Sequence, residues 1–310
     1  MVVPPRGSVA KYYIEGGGVA AHCMLWVVFA LSGAVFEAAY YTLLKQWGNE
    51  ADPHLLASGV FLTAAAMLLS VSSARGFPDL GPGFLPAALI AAMTNILAAA
   101  LYFKALRQVD LSLTVPMLSF TPVFLVVTSY VILGETPSMV GLAGILFIVA
   151  GSYVLNATSH SLEEPLDPVR KMMHTGGIRA MLIVAFLFSI SLSYDKVVLL
   201  NSDPYFGMGV VLLMAGSVFL AVSLAKGSKP AITFKQHPAL FLAAGAALAL
   251  STVGTNMAFS LQIASYVIAI KRLSAFFTVI YGIFILGEGH LQARSLGAAM
   301  MVAGAVIVAF

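Results

Sequence analysis

Residues 264–288 read ASYVIAIKRLSAFFTVIYGIFILGE, and residues 111–135 read LSLTVPMLSFTPVFLVVTSYVILGE. A shift of 153 residues lays Ile132-Leu133-Gly134-Glu135 on Ile285-Leu286-Gly287-Glu288, Val149-Ala150-Gly151 on Val302-Ala303-Gly304, and Gly144 on Gly297. Without a gap, residues 111–157 match residues 264–310 at 11 of 47 positions. Near the start of each half, a shift of 151 pairs Lys45 with Lys196 and Asp52-Pro53 with Asp203-Pro204. Two blocks at nearly one period indicate a duplicated unit.

The solvent of that unit follows from composition. Of 310 residues, 60% are hydrophobic and 9% charged, against roughly 25% charged in a soluble domain. The mean hydropathy is +0.96. Too little polar surface exists to face water all round, so the solvent is lipid. A membrane helix needs about 20 apolar residues, and ten such stretches fit. They run from about Met24 to Lys45, His54 to Ala74, Phe84 to Leu106, Leu111 to Leu133 and Ser138 to Asn156. The second five are Ile178 to Leu200, Tyr205 to Ala225, Pro238 to Leu261, Ala264 to Leu286 and Leu296 to Phe310. Residues 238–270 carry no charge, so hydropathy cannot place the break between the eighth and ninth spans. The repeat places it: Arg107 to Asp110 aligns with Ser260 to Ile263.

The expected fold is therefore an all-α integral membrane protein with about ten transmembrane helices in two inverted five-helix repeats. Residues 1–21, with Pro4, Pro5 and Gly16 to Gly18, suit a flexible arm. Residues 22–157 form the first repeat, 158–177 a polar linker with Glu163, Glu164, Asp167, Arg170 and Lys171, and 178–310 the second repeat. With five spans per half, the second copy enters from the opposite side. Inverted repeats of this kind hold a solute near the midplane, between the halves.

No cleavable signal sequence is evident, because the first apolar stretch is too long and holds Glu37. A multi-pass protein of the plasma or inner membrane is expected. Basic residues in the linker and after the seventh span favour both termini outside the cytoplasm. The net charge of +3 is too dispersed for a nucleic-acid partner. The single Cys23 excludes an intrachain disulfide. No HExxH or GxxxxGK[ST] pattern is present, so no enzyme, metal site or cofactor is expected and ATP is not the evident driver.

Charges inside spans cost about 2.5–3.5 kcal/mol each on insertion scales, so the few here carry information. Lys271-Arg272 lies inside the ninth span, about 10 Å from one end at 1.5 Å per residue. A planar guanidinium suits a carboxylate or phosphate, so the pair reads as a binding site for an acidic group. The other reading is a salt bridge that only holds helices together. Glu37, midway along the first span, reads as a proton-coupling group or as a buried carboxyl bonded to a neighbouring helix. Asp195-Lys196, near the end of the sixth span, reads as a gate or interface anchor. Thr255-Asn256 in the eighth span either lines the solute path or bonds another helix. Pro116 and Pro122 allow the fourth span to kink.

Two five-helix halves, each with Gly-Glu after its fourth span, resemble the drug/metabolite transporter superfamily, EamA-like branch. The resemblance spans about residues 24–310 and implies a secondary carrier with a central cavity. Glu37 with Thr42-Leu43 and Lys45 is similar to the first helix of small multidrug resistance proteins, which implies a shared proton and substrate site. Lys271-Arg272 is similar to the pair in the ninth helix of plastid triose-phosphate translocators, which implies an anionic solute. Those translocators also use a fourth-helix lysine, where this chain has Leu118, so a carboxylate or zwitterion fits better than phosphate. The expected function is a permease for a small acidic or zwitterionic metabolite, with protons as a candidate coupling ion and the lipid bilayer as surroundings. Two alternatives stand beside it: an exporter of cationic drugs centred on Glu37, and a non-transporting scaffold or chaperone. The solute, the direction of transport, the coupling ion and the oligomeric state are left open by the sequence.

Overall fold

The computed structural model describes residues 19–47, 52–106, 117–156, 176–228, 230–286 and 295–310. The described residues are helical, with no strand among them. The helices are α1 (Val19–Trp47), α2 (Pro53–Arg75), α3 (Phe84–Leu106), α4 (Thr121–Leu133), α5 (Met139–Asn156) and α6 (Gly176–Leu200). They continue as α7 (Phe206–Ala225), α8 (Pro230–Gln236), α9 (Pro238–Leu261), α10 (Ala264–Lys271), α11 (Ser274–Leu286) and α12 (Ser295–Ala309). Among the described residues, seven helical stretches are long and apolar enough to cross a membrane, and three shorter apolar helices accompany them. One of the seven, Ala264–Tyr281, runs through the break between α10 and α11.

Some boundaries differ from the sequence expectation. Val19 to Ala21, assigned to the arm, already belong to α1, because Val-Ala-Ala after the glycines favours helix. Gly176 and Gly177, assigned to the linker, open α6. The rest of the linker, and Gly287-Glu288, lie outside the described residues.

The described residues fall into two compact units, and these cut across the sequence halves. The first takes the chain up to Ala92 and Tyr194–Ile263, the second Met93–Ser193 and Ala264–Phe310. Helices α3 and α6 therefore contribute to both. Inside the first unit, α9 packs on α1 and α2, and α7 packs on α2. Inside the second, α12 packs on α5, and α10 packs on α4 and α5.

Lipid is as apolar as leucine, so helices associate in it through close packing rather than water exclusion. The residues in the contacts are accordingly small. On α1 the buried face is Trp26, Ala30, Ala34, Ala38 and Thr42, one residue per turn. Alanines of α2 and α3, including Ala64, Ala65, Ala88 and Ala91, fill the first unit's core around Leu68 and Val211.

The glycines show how close the backbones come and in which sense they run. A Cβ at Gly144 would stand 2.9 Å from Gly304 O, and one at Gly151 would stand 2.7 Å from Gly297 O. As the number rises on α5 it falls on α12, so these helices run antiparallel. Helices α2 and α7 do the same: Gly209 meets Leu69 and Gly216 meets Leu62.

Local chemistry sets the helix ends. Asp203 Oδ1 accepts from the N–H groups of Tyr205 and Phe206 and so closes the start of α7. Removing such a cap costs about 1 kcal/mol. Asp203→Ala is expected to lower Tm by roughly 2 °C, read by thermal unfolding in detergent, without altering the helical content. At the far end of α4, Gly134 ends the helix in the left-handed conformation (φ 72°, ψ 17°), which glycine adopts without a Cβ penalty.

Candidate functional site

Lys271 is the last residue of α10, and Arg272 and Leu273 form a tight turn before α11 begins at Ser274. The hydrogen-bond ladder changes register there. Arg272 N–H is shared between the carbonyls of Ile268 and Ala269, at 3.1 Å each. Leu273 N–H reaches back only three residues, to Ile270 O at 2.9 Å, and Ala275 N–H likewise to Arg272 O at 3.0 Å. This is a short 3₁₀ stretch inside a membrane-length helix, a feature that often marks functional positions.

The same break occurs at the start of α4, at the position that the 153-residue shift predicts. Phe120 N–H bonds Met117 O at 3.2 Å, and Phe124 N–H bonds Phe120 O at 3.1 Å. Adding 153 gives the pairs Leu273–Ile270 and Phe277–Leu273, and the second is also bonded, at 3.0 Å. In the fourth span the cause is Pro122, which has no N–H for the Leu118 carbonyl. The Thr121 hydroxyl fills that place, donating to Leu118 O at 2.7 Å. No proline lies in residues 264–286, so the helix breaks between α10 and α11 without that signal. The repeat alignment would have found it.

Both basic groups at the break are partly buried. Arg272 Nε is inaccessible to solvent and has no hydrogen-bond partner among the described residues. Lys271 closes the C-terminal end of α10, where the helix dipole favours a cation. The turn also stands just before the N-terminus of α11, where the helix dipole favours an anion. Opposite the Arg272 position in the other repeat is Ser119, whose Oγ pairs with Ser152 Oγ at 2.8 Å, both buried.

The remaining candidates lie in the first unit. Glu37 is partly buried on α1, one turn from Gly33 and on the same face. At Gly33 the two helices touch, since a Cβ there would be 3.0 Å from Thr255 Oγ1. Thr255 Oγ1 itself donates to Ser251 O at 2.8 Å. Asn256 is 2% exposed, and its Nδ2 donates to Pro204 O at 2.8 Å, tying α9 to the turn before α7. Asp195 and Lys196 are both buried, at 6% exposure. The Lys196 ammonium donates to Gln262 O at 2.6 Å. Its repeat partner Lys45 is exposed, so the two lysines share a register but not an environment.

Two contributors were not singled out from sequence. Glu135, known only as part of the repeated Gly-Glu, accepts from Ala264 N–H at 2.7 Å and caps α10. Tyr266 OH accepts from Ser138 N–H at 2.9 Å and packs on Gly141. Both fix the helix that ends in Lys271. The recurrence of Glu at 135 and 288 was the available signal.

Comparison with known proteins adds a family match over part of the chain and a fold. Residues 24–157 match the model of the EamA-like transporter family. No curated protein matches. Among solved structures, one described only as "Crystal structure of protein" has a TM-score of 0.67 at 15% identity, covering 93% of this chain and 97% of its own. That likeness is one of fold.

Proposed function

We propose that the chain is a secondary transporter for a small acidic or zwitterionic metabolite, a reading supported by the match of residues 24–157 to the EamA-like transporter family model. The carrying observation is the Lys271-Arg272 pair at a break in a membrane-length helix, with Arg272 Nε buried and lacking a partner among the described residues. Broken helices put a half-helix N-terminus and basic side chains beside an anionic solute group, at a depth where an unpaired cation would otherwise be costly. Lys271 and Arg272 hold the acid. Asn256 and Thr255 line the path, the amide oxygen of Asn256 accepting from an ammonium group where the solute has one. Asp195 and Lys196 serve as a gate or as an anchor.

On this reading the chain has ten spans in two inverted repeats, 22–157 and 178–310, with the solute path between the repeats. Seven long and three shorter apolar helices support the count. The antiparallel packing of the repeat-equivalent pairs α2 with α7 and α5 with α12 supports the inversion. So does the recurrence of the helix break after 153 residues.

The test is reconstitution in liposomes with radiolabelled succinate, as a plain dicarboxylate, and glutamate, as a zwitterion. Saturable flux of at least one is expected; flux no greater than in empty liposomes for both, and for a wider panel of carboxylates, rejects the assignment. Glu37 is assigned the coupling proton. Glu37→Gln is therefore expected to abolish accumulation driven by a pH gradient while leaving solute counterflow intact. Gradient-driven accumulation in the variant at the wild-type level removes Glu37 from that role.

A further inference from the structure

A lysine taken out of water needs compensation, and Lys196 is only 6% exposed. Its ammonium reaches the Gln262 carbonyl at 2.6 Å and stands 5.9 Å from the centre of the Phe259 ring. Gln262 is the C-cap of α9. A helix end leaves carbonyls without partners and carries negative partial charge, so a cation there meets both needs. The Gln262 side chain holds the next N–H, with Oε1 accepting from Ile263 at 2.9 Å. One residue later, Ala264 N–H opens α10 and gives its hydrogen to Glu135 at 2.7 Å. An anion at a helix start is again the sign the dipole favours. The two-residue junction between α9 and α10 is thus held by a cation on its carbonyl side and an anion on its amide side. The lysine's place in the repeat does not account for this, because Lys45 is exposed.

We infer that Lys196 and Glu135 are positioning residues: two charged clamps, Lys196 on the Gln262 carbonyl and Glu135 on the Ala264 N–H, that hold the backbone from which α10 runs on to Lys271 and Arg272. Neither touches the solute. The clamp stands on the contacts alone, whereas its positioning role rests on reading Lys271-Arg272 as the solute site.

Amide exchange by mass spectrometry on the full-length protein in detergent, without solute, reads the clamp. Lys196→Met is expected to speed exchange over residues 258–266 by about tenfold, the weight of one charge-assisted hydrogen bond, with other peptides unchanged. Lys196→Arg, which keeps a charged donor, is expected to restore protection. Lys196→Gln, a shorter neutral donor, serves if the methionine variant is not recovered folded. The positioning role is read by the concentrations of succinate and glutamate that give half of their thermal shift. These are expected to rise about tenfold in Lys196→Met and to return in Lys196→Arg. Wild-type exchange in Lys196→Met and Lys196→Gln overturns the clamp. Faster exchange with unchanged half-saturation overturns the positioning role. If neither acid shifts the wild-type protein, the solute reading and the positioning role fall together, while the exchange result still decides the clamp.

Discussion

Arg272→Ala is expected to lower solute affinity or transport efficiency by about 10- to 100-fold while leaving thermal stability unchanged or raised. The first half of this statement comes from the strength of hydrogen bonds to charged groups, about 1.5–3 kcal/mol, at about 1.4 kcal/mol per tenfold. The second comes from what the arginine does in the absence of solute. Its Nε is buried and lacks a partner among the described residues, and an arginine at membrane depth carries an insertion penalty of about 2.5–3.5 kcal/mol. Removing it relieves that penalty. A structural salt bridge predicts the opposite sign, because deleting one member of a buried pair costs about 3–5 kcal/mol. Flux assays and thermal unfolding on the same preparation therefore separate the two readings. A large drop in Tm with proportionate loss of flux would mean that the arginine serves the helix bundle. Lys271→Ala is expected to follow Arg272→Ala with a smaller effect, since an ammonium lacks the guanidinium's paired donors.

Gly297→Leu is expected to be the most destabilising single change in the second unit. A Cβ at this position would stand 2.5 Å from Leu155 N and 2.7 Å from Gly151 O. Both obstacles are backbone atoms, so no rotamer change can clear them, and α5 and α12 must separate along their whole contact. Overpacking alone costs about 1–3 kcal/mol, and lost dispersion across the seam adds to it, so Tm is expected to fall by on the order of 10 °C. The control is Ala299→Leu, two residues on in the same helix, on its exposed face. It adds more bulk to lipid than to protein and is expected to be neutral. Equal stability of Gly297→Leu and the wild type contradicts the close contact.

The sequence made some of this arrangement legible and hid the rest for identifiable reasons. The junction between α9 and α10 was placed by the repeat at Ser260 to Ile263, and α9 ends at Leu261 with α10 starting at Ala264. Hydropathy was silent there, whereas Gly-Glu and the small-residue blocks fixed the register. The partition into two units was not legible, because helices apolar on every side show no face preference in their pattern. The break in the fourth span had Pro122 as its signal, while that in the ninth had none beyond its alignment with the fourth. Lys271 and Arg272 stood out because charge is rare in spans. Glu135 did not, because its partner Ala264 is 129 residues away and capping leaves no periodic trace. Lys196 reads from the sequence as a gate or anchor in register with Lys45, but equivalent registers can lie in different surroundings when the halves have diverged.

The α5–α12 seam has a further implication. Exchanging the halves turns Gly144–Gly304 into Gly297–Gly151, so the two contacts are images of one another. A surface that fits its own copy is an isologous one, the kind that builds homodimers; on the inverted-repeat reading proposed above, both of its sides belong to a single polypeptide. Equivalent positions of the two halves can then take different residues, one a charge where the other keeps a hydroxyl. Arg272 and Ser119 differ in that way, and on the function proposed above such a divergence suits an asymmetric solute.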